Sequence, residues 1–127
     1  MDPCVLNSIA FSIERYMDLL SARQKLVASN IANAATPGYK TRDIDFQYEF
    51  RRAISGSESV RPPHSQLSSM EVVEVAGLGG RNDGNNVGMD RERRLLAENA
   101  IRFNLASSLW KSQYRQIKSA IQEGKNG

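Results

Sequence analysis

Residues 89–124, MDRERRLLAENAIRFNLASSLWKSQYRQIKSAIQEG, decide the fold. Leu96, Phe103, Trp110 and Ile117 recur every seven residues, and Ala100, Ser107, Tyr114 and Ile121 follow each of them four residues on. Two interleaved heptad series carried over this length describe a helix with a continuous packing stripe, not a strand. Asp90 and Glu92 in the first turn suit the positive end of the helix dipole. Gly88 marks the boundary before the helix, and Gly124 supplies a stop after it. The spacing predicts a helix over about 89–123, roughly 50 Å long.

The other end of the chain mirrors this pattern. Asp2 and Pro3 form a helix start, with a carboxylate cap and a proline at the first helical position. Leu6, Ile9, Ile13, Tyr16, Leu20, Val27 and Ala34 then follow in steps of three, four and seven, with Arg23 and Asn30 in slots where apolar residues are expected. A helix of similar length is predicted from about Pro3 to Ala34, with Cys4 packed on its apolar side. Two such helices bury their stripes most economically as an antiparallel hairpin. Phe103, Trp110 and Tyr114 exceed what one partner helix can cover. Either other copies of the chain cover the remainder, or a middle helix completes a small monomeric bundle.

The middle is irregular. Ser55–Ser69 (SGSESVRPPHSQLSS) reads as a Ser/Pro-rich linker. Met70–Ala76 (MEVVEVA) alternates and is β-branched, so it reads as one short strand that pairs within the middle or with a neighbouring subunit. Gly77–Gly88 (GLGGRNDGNNVG) reads as a flexible connection and lacks the spacing of a phosphate-binding loop. The expected fold is therefore mainly α: two long terminal heptad helices packed as an antiparallel coiled-coil hairpin, around an irregular middle holding a short helix and one short strand. Its parts are an N-terminal helix (1–36), a turn, docked segment and variable middle (37–88), and a C-terminal helix (89–127).

Composition narrows the function. The 127 residues are 40% hydrophobic and 24% charged, with a mean hydropathy of −0.48. That suits one domain with a long seam better than a thick enzyme core. The net charge is +3, and the basic clusters Arg51–Arg52 and Arg91, Arg93 and Arg94 read as solvated faces rather than a nucleic-acid surface. One cysteine and one histidine, His64 in the polar linker, leave no intrachain disulfide, no thiolate metal cluster and no catalytic base in a pocket. No catalytic, cofactor-binding or metal-binding residue is expected. No segment approaches the ~20 apolar residues of a transmembrane helix. The N-terminus lacks the pattern of a cleaved signal, so the chain is expected to be cytoplasmic or exported without one.

Residues 20–46 carry the most specific local chemistry. Asn30 and Asn33 are placed to satisfy carbonyls at the helix end, unless they simply face water. Thr36 is pushed out of the helical region by Pro37, and Gly38 can take the positive φ of a tight reversal. Asp43 is expected to cap a short amphipathic segment whose Ile44, Phe46 and Phe50 dock back on the bundle.

SNIANAATPGYK (29–40), followed by RDIDF (42–46), is similar to the signature beside the N-terminal helix of flagellar rod and hook proteins, the axial proteins of the bacterial flagellum. RDIDF resembles their proximal-rod members in particular, as does NNVGMDRERRLLAENAIRF (85–103). Asn30, Ile31, Asn33, Thr36, Pro37, Gly38, Tyr39, Arg42, Asp43, Ile44, Asp45 and Phe46 carry the motif. Ala35 and Gly88 stand where the family more usually has acidic residues. The resemblance implies paired terminal helices forming an inner coiled-coil tube, an outward-facing middle, and a structural role with no reaction and no cofactor. Implied partners are copies of the chain, other rod proteins (FlgC-like), the rod-base adaptor, the inner-membrane ring and the flagellar type III export apparatus. The implied location is the periplasmic rod of the basal body, reached without a cleaved signal. On this reading Leu6, Ile9, Ile13, Leu20, Leu96, Phe103, Trp110, Ile117 and Ile121 form the packing and assembly seam. The alternatives are another axial protein, such as a FlgC-like rod subunit, and a basic helical nucleic-acid-binding module.

Overall fold

The computed structural model describes residues 3–55 and 70–126. They form helix α1 (Pro3–Ala32), strand β1 (Arg42–Ile44), helix α2 (Phe46–Ser55), strand β2 (Val72–Glu74) and helix α3 (Met89–Asn126). The fold is mainly α, with the long terminal helices packed together, as the heptads predict, and a small two-stranded sheet formed by the segments that connect them. The packing is antiparallel. Polar contacts join Asn30 to Glu92, Gln24 to Asn99, and Glu14 to Trp110, so α1 descends as α3 rises.

No proline or glycine interrupts α1, which loosens into turns at 33–38 where Thr36-Pro37-Gly38 forbids continuation. Gly38 takes φ +74°, and the Tyr39 amide donates to the Thr36 carbonyl at 3.3 Å, so Pro37 and Gly38 occupy the central positions of a tight turn. At the far end α3 does not stop at Gly124 but runs through to Asn126. Gly124 is not among the glycines with positive φ, so it makes no left-handed cap, and a glycine in a helix costs only about 1 kcal/mol.

The apolar core is thin. Leu6, Leu19, Leu20 and Val27 come from α1, Leu95 and Ala106 from α3, and Ile44 and Val87 from the segments between. On α3 the buried positions nearest α1 include Glu92, Leu95, Asn99 and Ala106, a heptad series offset from the one running through Leu96. Leu96 and Phe103, each 38% exposed, therefore flank the intrachain seam rather than form its centre. The physical reason is polar: the bonds of Glu92 to Asn30 and of Asn99 to Gln24 set the rotation of α3 about its axis.

β1 and β2 pair antiparallel, with Asp43 opposite Val73. The strand predicted over 70–76 is thus shorter and finds its partner in the RDIDF segment. Asp45, not Asp43, caps α2: its carboxylate accepts the Tyr48 amide at 3.1 Å and its carbonyl the Glu49 amide at 3.0 Å. Asp43 lies in strand and is committed elsewhere. Phe46 and Phe50 dock on α1 through edge-on contacts with Tyr16, at 5.3 and 5.6 Å between centroids. Cys4 is exposed rather than packed. The Asp2 cap, His64 and the linker beyond Ser55 lie outside the described residues.

Leu20 is 1% exposed at the α1–α3 contact. Leu20→Ala is expected to destabilise the chain by about 2–4 kcal/mol in urea unfolding. A loss below about 1 kcal/mol would mean that the seam collapses around the cavity or contributes little.

Candidate functional site: a polar lock beside an outward apolar face

The motif residues converge where α1 ends and α3 begins. Asn30 is 1% exposed and uses its whole hydrogen-bonding capacity. Its amide nitrogen donates to the Arg42 carbonyl at 2.8 Å and to Glu92 Oε2 at 3.2 Å. Its oxygen accepts from the Arg42 amide at 3.1 Å and the Tyr39 hydroxyl at 3.0 Å. One side chain thus treats Arg42 as a strand neighbour would and ties it to α3. Asn33 acts more locally, donating to the Ser29 carbonyl and accepting from Thr36 Oγ1.

Carbonyls at the end of α1 and in the turn after it take further donors from the segment before α3. Asn85 is fully buried and donates to the carbonyls of Asn33 and Thr36 at 2.9 and 2.8 Å, while accepting from the Val87 amide. Arg81 donates to the Ala34 carbonyl at 2.6 Å. Asn86 accepts the Thr41 amide at 2.7 Å, and the Gly38 amide donates to the Asp83 carbonyl at 2.9 Å. The glycine- and asparagine-rich stretch, which reads as a loose connection in sequence, wraps and caps the turn.

An ionic cluster closes the lock. Arg23 holds both carboxylate oxygens of Asp43 at 3.0 Å, and Arg91 reaches Asp43 at 2.8 Å and Glu92 at 2.7 Å. Burial pushes the Asp43 carboxyl upward. The Arg23 hydrogen bond, the Ile44 amide, the Arg23 charge and the Arg91 hydrogen bond more than offset it, leaving the pKa below the ordinary carboxylate value. Glu92 is fully buried and paired with Arg91 and Asn30.

The remaining motif residues are spread around this lock. Ile44 is buried, Ile31, Tyr39 and Phe46 are half-buried, and Thr36, Pro37, Gly38, Arg42 and Asp45 are exposed. Of the helix residues, Leu6 and Leu20 are buried, and Ile9, Ile13, Trp110 and Ile117 are half-buried. Leu96, Phe103 and Ile121 are exposed, joined along α3 by Ile101, Leu105, Leu109 and Tyr114. Sequence reasoning did not single out Arg81, Asn85 or the pairing of Arg23 and Arg91 with Asp43. Its available signal was the charge at position 23 inside an apolar stripe, which calls for a buried partner.

Among the described residues, no group of His, Cys, Asp and Glu side chains is placed to hold a metal ion, and no helix is long and apolar enough to cross a membrane. What the fold defines is a helical hairpin locked at one end, with a long apolar face turned outward: the form of a structural assembly subunit. The family described as flagella basal body rod protein matches residues 17–40, which end at the lock. The flagellar basal body rod protein FlgB of Salmonella typhimurium (strain LT2) is 33% identical over 122 residues, covering 85% of this chain and 88% of its own. FlgB of Escherichia coli K12 is 30% identical over 127 residues, with the same coverage of both chains. FlgB of Borrelia hermsii is 29% identical, covering 91% of this chain and 99% of its own. The chain belongs to the FlgB family of flagellar basal body rod proteins, and its role is that of a structural rod subunit.

Two outcomes test the lock. Because the folded Asp43 pKa is depressed, its contribution is fully present above the unfolded carboxylate value of about 3.9 and is lost as pH falls through the folded value. The urea midpoint of the native chain should therefore fall on acidification below about pH 5, and that of Asp43→Asn should start lower and fall less. Parallel curves would show that Asp43 is not part of the acid response. Asn85→Ala removes one of two donors from each of the Asn33 and Thr36 carbonyls and leaves the buried Val87 amide without its acceptor, and should cost about 3 kcal/mol. An unchanged midpoint would mean that solvent replaces those bonds without loss.

Proposed function

We propose that the chain assembles into the periplasmic part of the flagellar rod by packing α1 and α3 against neighbouring subunits, with the middle of the chain facing outward. In this reading residues 1–36 and 89–127 are axial helices. Residues 37–88 hold the turn, the docked segment and the variable face. The partners are copies of the chain, FlgC-like rod proteins, the rod-base adaptor and the inner-membrane ring. Export through the flagellar type III apparatus, without a cleaved signal, delivers the chain to that place. The role involves no catalytic step.

The observation that carries this reading is the inverted character of α3. Toward α1 it presents Glu92, Asn99 and the small Ala106 beside Leu95, and away from α1 it presents Ile101, Leu105 and Leu109. A helix that finished its packing within one chain would carry these residues the other way round. An outward apolar face on this scale marks a surface that is covered in assembly.

Deletion of the gene in its flagellated host should abolish rods and filaments, and complementation should return the protein to the basal-body fraction. Motility that survives deletion, with the protein left in the cytoplasm, would overturn the reading. Trp110 is half-buried, stacked on Tyr114 at 5.5 Å and bonded to Glu14 at 3.1 Å. Trp110→Ala should weaken incorporation by about 1–2 kcal/mol, less than for a fully buried ring. An unchanged yield in basal bodies would place Trp110 outside the interface.

A further inference from the structure

The heptads of α3 place Trp110 and Ile117 at position d and Tyr114 and Ile121 at position a. In these last repeats the flank beside a, position e, is Lys111, Lys118 and Lys125, a lysine every seven residues and exposed each time. The opposite flank, position g, is Ala106, Gln113 and Ala120, buried or half-buried toward α1. The positions farthest from the stripe, where a merely solvated helix scatters its charge, hold mainly Ser112, Gln116 and Ser119. Positive charge is therefore confined to one flank of the stripe, widened by Arg115.

This charge is uncompensated. Residues 111–126 hold four basic side chains against Glu123 alone, a surplus of three that equals the formal net charge of the whole chain. Nearer the start of α3, Arg91, Arg93 and Arg94 each pair with a carboxylate, but among the described residues none pairs with Lys111, Lys118 or Lys125. Lys111 and Arg115 stand four apart and Arg115 and Lys118 three apart, so like charges repel across adjacent turns. Carboxylates brought from outside the chain relieve that repulsion.

We infer, on the rod-subunit reading, that the distal half of α3 receives a helix of a different protein, one carrying Asp or Glu every seven residues beside its own apolar stripe. Lysines at successive e positions select a partner by charge in helical packing. The apolar stripe beside them, with Tyr114 54% and Ile121 57% exposed, supplies the contact that they orient. A second copy does not fit. α1 holds only Glu14 and Asp18, α2 only Glu49, and α3 Asp90, Glu92, Glu98 and Glu123, and no two on one helix stand seven apart. A lipid surface fits less well than a helix. Trp110 is bonded to Glu14 of α1 and, like Ile117, half-buried, so the stripe cannot lie flat on a bilayer with the lysines around it. Ion pairs at the edge of a contact add little affinity each, and what they give is the choice of partner and register.

The test uses native basal bodies treated with a water-soluble carbodiimide, which activates a carboxylate so that a lysine amine adds to it and forms an amide. Peptide mapping should find Lys118, and at least one of Lys111 and Lys125, joined to carboxylates seven residues apart in one other protein. The chain carrying Lys111→Arg, Lys118→Arg and Lys125→Arg should enter basal bodies normally without those adducts. The chain carrying Lys111→Glu, Lys118→Glu and Lys125→Glu should enter about tenfold less, with circular dichroism matching the native helices. Should that variant fail to fold, the amide map alone decides. Adducts of these lysines only to copies of this chain, or no adducts at all, would overturn the inference, as would normal incorporation of the triple Lys→Glu variant. Lysine-dependent sedimentation of the native chain with phosphatidylglycerol vesicles, without protein adducts, would give the face to a lipid surface instead. A native chain absent from basal bodies would refute the rod-subunit reading itself, and the inference with it.

Discussion

The bond between Asn30 and Glu92 joins residues 62 apart in sequence, and the rest of the molecule is arranged around it. Asn30 sits on the last turns of α1, Glu92 on the first turn of α3, and the Arg42 backbone is bonded on both sides by the Asn30 amide. Because Asn30 and Glu92 are buried, neither can turn to water, so each must keep its partners. The same place fixes the height of α1 against α3 and the start of β1. It also fixes the direction in which the chain leaves the hairpin. Polar groups in a helical seam are a known means of choosing one register at some cost in stability. Asn99 with Gln24, and Glu14 with Trp110, repeat that role further along.

That choice has a consequence for the outside of α3. Once Glu92 and Asn99 face α1, residues about half a turn away face solvent, and among them Ile101 and Leu105 are large and apolar. Among the described residues the two helices supply only six buried apolar side chains, with Ile44 and Val87 added from the segments between them. Small cores of this kind gain stability from further contacts. The locked end and the open face therefore belong together: the lock gives each subunit one shape, and the face gives that shape something to bind.

Much of the architecture was legible in sequence because it follows from periodicity. The heptads at Leu6–Val27 and Leu96–Ile117 gave two long helices and their pairing, and Thr36-Pro37-Gly38 gave the turn through backbone sterics alone. The helix rotation was not legible, since nothing local marks Glu92 and Asn99 as buried before their partners Asn30 and Gln24 are placed opposite them. The lock was half legible. Arg23 and Asn30 stood out as breaks in the α1 stripe, yet nothing local points from them to Asp43 or Glu92. Asn85 was the hardest to see. Capping from 49 residues away leaves no spacing signal, and glycine- and asparagine-rich composition ordinarily describes a connection. Asp43, expected as the cap of α2, yields that place to Asp45 because both can cap a helix, and only the strand pairing of Arg42–Ile44 decides between them.

Hydroxyl-radical footprinting of side chains, compared between the free chain and isolated basal bodies, would test the central claim most directly. The account predicts that Ile101, Leu105 and Leu109 lose most of their labelling on assembly, while Tyr48 on the outer side of α2 keeps its own. Equal labelling of the α3 stripe in both states would contradict it, since a face left open in the rod is not the surface that builds it.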